Sequence, residues 1–249
     1  MYKRIQLFNT TKRLFHATAS SSKKVAVILS GSGVYDGSEI TEAVATLVHL
    51  SRHGATTQCF APDKMQLHTI DHTSGNEDLN NRNVLVESAR IARGDVLALS
   101  ELSSTDFDCI VIPGGFGAAK NLFDSNKTWA VDGVDSIVDE NVSNVIKDFH
   151  QNGKPIGACC IAPVLLAKTI ENVTLTVGSS STDDEENWPY AGTASQIESI
   201  GAKHVDAGFN EVVVDEANKV ATSAAYMYNG KPHEIFDSVG EMIDAVMKM

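Results

Sequence analysis

The chain has little of what stabilises small secreted domains. Its four cysteines, Cys59, Cys109, Cys159 and Cys160, show no C-x-x-C spacing and no paired histidines. Neither a disulfide framework nor a metal centre is therefore expected, and a reducing compartment is. No apolar run approaches the about 20 residues needed to cross a bilayer. Even Ile156–Leu166 is short and is interrupted by Pro163. Positive charge is scarce, since 20 Lys+Arg against 32 Asp+Glu leave a net charge of −12. Such a surface repels phosphate backbones, so neither nucleic acid nor membrane is an expected partner. What is present suffices for one globular core: 43% of the 249 residues are hydrophobic and 21% charged, which excludes a disordered tail or a stapled mini-protein.

The charge is unevenly spread. Lys3, Arg4, Lys12, Arg13, Lys23 and Lys24 precede the first carboxylate of the chain, Asp36. Apolar Ile5, Leu7, Phe8, Leu14 and Phe15 lie between these bases, followed by the Thr/Ser/Ala run from Ala17 to Ser22. This basic, hydroxyl-rich, acid-free composition is that of a mitochondrial transit peptide and lacks the continuous apolar stretch of a secretory signal. Residues 1–22 are expected to be that peptide, with a processing site in Arg13–Ser20, and residues 23–249 a single domain in the mitochondrial matrix.

From Lys24 onward, short apolar runs alternate with amphipathic stretches, the rhythm of an α/β fold. Val25–Leu29 predicts a strand buried on both faces, and Ser38 is placed to cap a helix that ends at Gly54. A strand over 56–60 follows, then a polar excursion over 62–83 and a helix over 83–93. Strands are expected at 107–112, 155–158 and 173–177, helices at 142–151, 161–168, 193–200 and 232–249. Val212–Val214 and Val220–Thr222 form an expected hairpin about Asn218.

Three constellations fall where strands end and helices begin, the edge at which open α/β sheets bind ligands. In Gly157-Ala158-Cys159-Cys160-Ile161-Ala162-Pro163 a cysteine with small neighbours stands between strand and helix, in the manner of a nucleophile elbow. Cys160 is the candidate nucleophile, its thiol pKa expected to be lowered by the helix start. Cys159 is expected to point the opposite way. A pair of small buried thiols would fit the same sequence. Pro113-Gly114-Gly115-Phe116-Gly117 can turn the backbone so that the N–H of Gly115, with that of Ile161, forms an oxyanion hole; Gly114 is a weaker candidate. Glu39 and Glu42 share the opening face of the first helix, where either could be a carboxyl partner to the thiol or merely stabilise the helix dipole.

These residues resemble the PfpI and Parkinson-linked deglycase superfamily, itself related to the class I glutamine amidotransferases. Lys154-Pro155 stands five residues before Cys160, as in the family's elbow, in which Ala162 replaces the usual glycine. Counting twelve residues back from Gly54, as the family's first helix requires, reaches Glu42. Four further blocks, Val27–Gly31, Gly33–Ile40, Cys59–Lys64 and Pro113–Leu122, are similar to the ElbB-type glyoxalases and their mitochondrial animal relatives. The resemblance implies a flavodoxin-like three-layer sandwich with a mostly parallel central sheet and a homodimeric assembly. It also implies a glutathione-independent, glyoxalase-like lyase that converts small 2-oxoaldehydes through Cys160 and Glu42 without a cofactor. One departure matters: the stretch Val177–Ser180 holds no histidine where catalytic superfamily members carry one. Amidotransferase and protease chemistry, which needs that histidine to protonate an amine, is therefore not expected. His68, His72 and His204 are the histidines a loop could return to the site. A non-catalytic protein with a redox-sensitive or structural Cys160 is the alternative.

Overall fold

The computed structural model describes residues 22–249; residues 1–21, nearly all of the expected transit peptide, lie outside it. The chain runs β1 (Lys24–Ile28), α1 (Ile40–Arg52), β2 (Thr56–Ala61), α2 (Val84–Ile91), β3 (Val96–Ala98), β4 (Cys109–Ile112) and α3 (Phe116–Lys120). It continues through α4 (Trp129–Asp132), α5 (Glu140–Gln151), β5 (Ile156–Cys159), α6 (Pro163–Thr169), β6 (Thr174–Leu175), α7 (Gly192–Ser199), β7 (Lys203–His204), β8 (Val212–Asp215), β9 (Val220–Ser223) and α8 (Pro232–Lys248). Seven strands form one sheet in the order β3-β2-β1-β4-β5-β9-β8. All neighbours are parallel except the β8–β9 hairpin.

The parallel strands explain their own sequences. With helices on both faces, Val25–Ile28, Cys109–Ile112 and Ile156–Cys159 are buried residue after residue, so continuous apolar runs replace alternation. Helix α8 packs on α1 and on β5 and β9, while α5 pairs with α6 and also covers β5. The result is the flavodoxin-like three-layer sandwich. Glycine at 157 is forced by this packing, because a Cβ there would meet Val246 Cγ2 at 2.9 Å and Met242 Sδ at 3.1 Å.

Several expected boundaries shift. The stretch expected as a strand over 173–177 contributes only β6, which pairs with β7 in a separate two-stranded sheet. Strands β3 and β7, two or three residues long, were too short to carry a periodic signal. Ser38 does not cap α1; its Oγ accepts the Ser30 N–H at 2.9 Å, and Glu39 takes the cap position, accepting the Glu42 N–H. The 62–83 excursion is tied down by isolated bridges, Met65 to Asn83 and Ile70 to Glu77.

The strand order places β1 between β2 and β4, so successive connections leave it in opposite directions. The carboxyl ends of β1 and β4 bound the resulting crevice, where doubly wound sheets hold ligands. The segments after β1, β4 and β5 carry the three constellations.

Candidate active site

Cys160 follows directly on β5. Its N–H donates to Ser223 O at 3.1 Å, extending the β5–β9 ladder by one rung, and its backbone then turns to φ 58°. A non-glycine residue in this left-handed region is uncommon and is seldom held without cause at a sheet edge. The turn continues through Ala162 N–H to Cys159 O at 3.0 Å, and α6 opens only at Pro163. The helix therefore starts two residues later than the expected 161. The helix dipole is correspondingly further from the thiol.

Glu42, wholly buried in α1, reaches the same point. Its Oε2 accepts the Gly114 N–H at 2.9 Å and its Oε1 the Tyr226 N–H at 3.1 Å. Tyr226 follows Ala225, whose φ of 42° aims that N–H inward. The carboxyl is thus held by the β4 and β9 ends at once. Gly114 leaves no room between the partners: a Cβ on it would lie 2.5 Å from Cys160 Cβ and 2.9 Å from both Cys160 Sγ and Glu42 Oε2. Gly115, at φ 96°, has no room for a side chain, since a Cβ there would meet Glu39 N and Gly37 O, and its own N–H and that of Ile161 act to lower the Cys160 thiol pKa.

Electrostatics corrects one expectation. Burial pushes the Glu42 carboxyl up to about 7, helped by the charge of Glu39, against hydrogen bonds from Tyr226, Cys160 and Gly114. Burial, and then the Glu42 carboxylate, hold the Cys160 thiol well above its ordinary value, although the Gly115 and Ile161 N–H groups pull it down. The lowered thiol pKa expected from the helix start is thus not what this environment produces. Only 7% of Cys160 is exposed, and desolvation of a thiolate outweighs two amide dipoles. Cys159 is a second correction. Its sulfur does not point away but lies 3.9 Å from Glu42 Oε2, because the left-handed turn at Cys160 ends the strand's alternation. Burial and the same carboxylate raise its thiol as well.

Above the sulfur opens a cavity of about 340 Å³. Cys160, Gly115, Ile161 and Glu39 form its floor, and Phe116, Tyr190, Tyr226 and Tyr228 its walls. Glu39 therefore faces the cavity while Glu42 lies buried beside the thiol. The histidines stand elsewhere. His72 Nε2 accepts the Tyr35 N–H at 3.2 Å, His204 Nε2 the Val177 N–H at 3.3 Å, and the His68 carbonyl accepts from Gln66. Among the described residues no histidine lines the cavity, and no group of three or more His, Cys, Asp or Glu could hold a metal. The aromatic walls come from segments far apart in the sequence. A signal existed: in a chain with five tyrosines, three of them fall at 190, 226 and 228.

Comparisons with known proteins agree with this architecture. The model of the DJ-1/PfpI family matches residues 23–229. The human glutamine amidotransferase-like class 1 domain-containing protein 3, mitochondrial, is 52% identical over 91% of this chain and 83% of its own length. The rat ES1 protein homolog, mitochondrial, is 50% identical over 94% and 87%. Among solved structures, an isoprenoid biosynthesis protein with an amidotransferase-like domain from Ehrlichia chaffeensis superposes with a TM-score of 0.79. It is 35% identical, over 91% of this chain and 99% of that one. Drosophila melanogaster DJ-1beta, 20% identical with a TM-score of 0.50, shares the fold. The chain is a mitochondrial protein, as its near relatives are. Its sheet order, its elbow at Cys160 and its match over residues 23–229 make it a member of the DJ-1/PfpI family.

Proposed function

We propose that this protein is a glutathione-independent, glyoxalase-like enzyme that converts small 2-oxoaldehydes such as glyoxal to hydroxy acids. The observation that carries the reading is the strained Cys160 at the cavity floor with the buried Glu42 carboxyl beside it. A carboxyl titrating near 7 can take and return protons at physiological pH, as a general base and acid must.

On this reading Glu42 accepts the thiol proton as the Cys160 sulfur adds to the aldehyde carbon. The carbonyl oxygen becomes a hydroxyl, giving a hemithioacetal. The Gly115 and Ile161 N–H groups, which favour the Cys160 thiolate, stabilise negative charge on that oxygen during addition. Removal of the former aldehyde hydrogen as a proton gives an enediol, and its return to the neighbouring carbon leaves a thioester. One carbon is oxidised and the other reduced, so no external oxidant is needed. Water then releases glycolate and restores the thiol. Chemistry of this kind needs no leaving amine to be protonated, which suits a site without histidine.

The enzyme on this proposal works in the mitochondrial matrix as a homodimer, after removal of residues 1–22. One observation favours a non-catalytic reading instead, with Cys160 as a structural or redox-sensitive thiol: the sulfur is nearly buried and its pKa is raised. The purified domain decides between them. Glycolate should form from glyoxal without glutathione or added metal. Cys160→Ser should abolish it, and Glu42→Ala should lower it by about 10²–10⁴-fold, the usual contribution of acid–base help. Equal glyoxal loss with wild type and Cys160→Ser means adduct formation on Lys and Arg, and overturns the enzymatic reading.

A further inference from the structure

The cavity is far larger than glyoxal needs. Its volume of about 340 Å³ falls in the range of about 300–1,000 Å³ that encloses drug-sized ligands. Glyoxal, with four heavy atoms, occupies little more than the space of two or three waters at about 30 Å³ each. Glyoxal would leave the aromatic walls untouched. Phe116 and Tyr190 face each other edge to face with ring centroids 6.4 Å apart. Tyr228 is braced between Phe209, stacked at 5.1 Å, and Trp188, also at 5.1 Å. Fixed rings of this kind present apolar area without an ordering cost.

The charge of the cavity is as one-sided as its shape. Glu39 is the one charged residue among its lining residues, and among the described residues no Lys, Arg or His lines it. The cation beside it is turned away: Lys120 Nζ stands over the Phe116 ring at 5.6 Å but donates to Tyr35 O at 2.9 Å. Lys120 lines a neighbouring groove with Tyr35, Ile70, Gly75 and Phe116, the last of which stands between the groove and the cavity. A carboxylate on the substrate would therefore enter a largely apolar space facing Glu39 with no cationic partner among the lining residues, which is costly.

We infer that the site selects uncharged 2-oxoaldehydes carrying an aryl or comparably bulky apolar substituent, over glyoxal and over substituents bearing a carboxylate. The aldehyde carbon sits at Cys160, the substituent lies against Phe116, Tyr190 and Tyr228, and Glu39 rejects anions. This rests on the glyoxalase-like reading and goes beyond it by naming the substrate class. The chemistry is the same internal redox step, with phenylglyoxal and water giving mandelate.

The test compares kcat/KM for glyoxal, phenylglyoxal and 4-carboxyphenylglyoxal, each read as hydroxy acid formed. Cys160→Ser serves as baseline, because arylglyoxals also add to arginine. Phenylglyoxal should exceed glyoxal by about tenfold or more, within what an apolar pocket can discriminate. The carboxylated analogue should fall at least about tenfold below phenylglyoxal. Glu39→Gln keeps a carbonyl to cap α1 and should narrow that second gap, while Tyr190→Ala should narrow the first. Turnover of glyoxal without preference for phenylglyoxal, or equal rates for the two aryl substrates, overturns this inference and leaves the enzymatic reading standing. Formation of no hydroxy acid from either glyoxal or phenylglyoxal overturns both.

Discussion

A buried carboxyl beside a buried thiol makes the proton they share the central quantity at the residue scale. Ionised Glu42 and neutral Cys160 are the starting pair for addition, so kcat/KM should rise with pH through about 7, where Glu42 loses its proton, and level off above. Removing the carboxylate removes the second-largest influence that raises the thiol. Glu42→Gln should therefore speed alkylation of Cys160 by iodoacetamide at pH 7–8 even as it lowers turnover. Mass-spectrometric mapping over a pH series measures this, and an unchanged or slower rate counts against the pair. The same carboxyl links stability to pH. A folded pKa raised from 4.5 to about 7 means that folding favours the protonated form. That stability is fully present below 4.5 and is lost as pH rises through about 7. At about 1.4 kcal/mol per pH unit, the loss approaches about 3 kcal/mol. Urea unfolding at pH 5 and pH 8.5 should show wild type losing that much relative to Glu42→Gln; parallel profiles would contradict the burial argument.

At the scale of the element, the turns after β4 and β5 are fitted to each other. Gly114→Ala would drive a methyl between Cys160 and Glu42, so activity should fall by at least about tenfold with less effect on melting than on turnover. Ala162 shows the opposite tolerance. It replaces the glycine of the family's elbow, yet its φ of −59° and ψ of −28° are ordinary right-handed values, so no glycine is needed there. Ala162→Gly should cost about 0.5–1 kcal/mol, a melting temperature about 1–4 °C lower for a domain of this size. Unchanged or higher stability would mean that the backbone at 162 is strained. The elements legible in the sequence were those with a clear apolar run or amphipathic period: β1, α1, β2, α2, β4, α5, β5, α7, the β8–β9 hairpin and α8. The α6 start was misplaced because Ile161 and Ala162 look helical by composition, while the left-handed turn at Cys160 delays the helix to Pro163.

For the whole molecule, residues 1–24 are basic and the remainder of the chain acidic, and on the proposal that residues 1–22 are a transit peptide only that segment responds to a membrane potential. The protein isolated from its own mitochondria should begin near residue 20–23. N-terminal sequencing settles this, and an intact Met1 would count against it.

The sequence by itself determined the α/β class and which cysteine, glycines and glutamates stand at the ends of strands, because these follow from local periodicity and short spacings. Tertiary structure decided what those residues do to one another. Nothing near Glu42 in sequence shows that Gly114 and Tyr226 would both donate to it, that Cys159 would also face it, or that three distant tyrosines would wall one cavity. The direction of the thiol's shift was decided there too. A helix end is a local feature that can be read from residues 160–163, but the desolvation that outweighs it comes from α1, β4 and β9 closing over the sulfur, and burial is a property of the assembled fold.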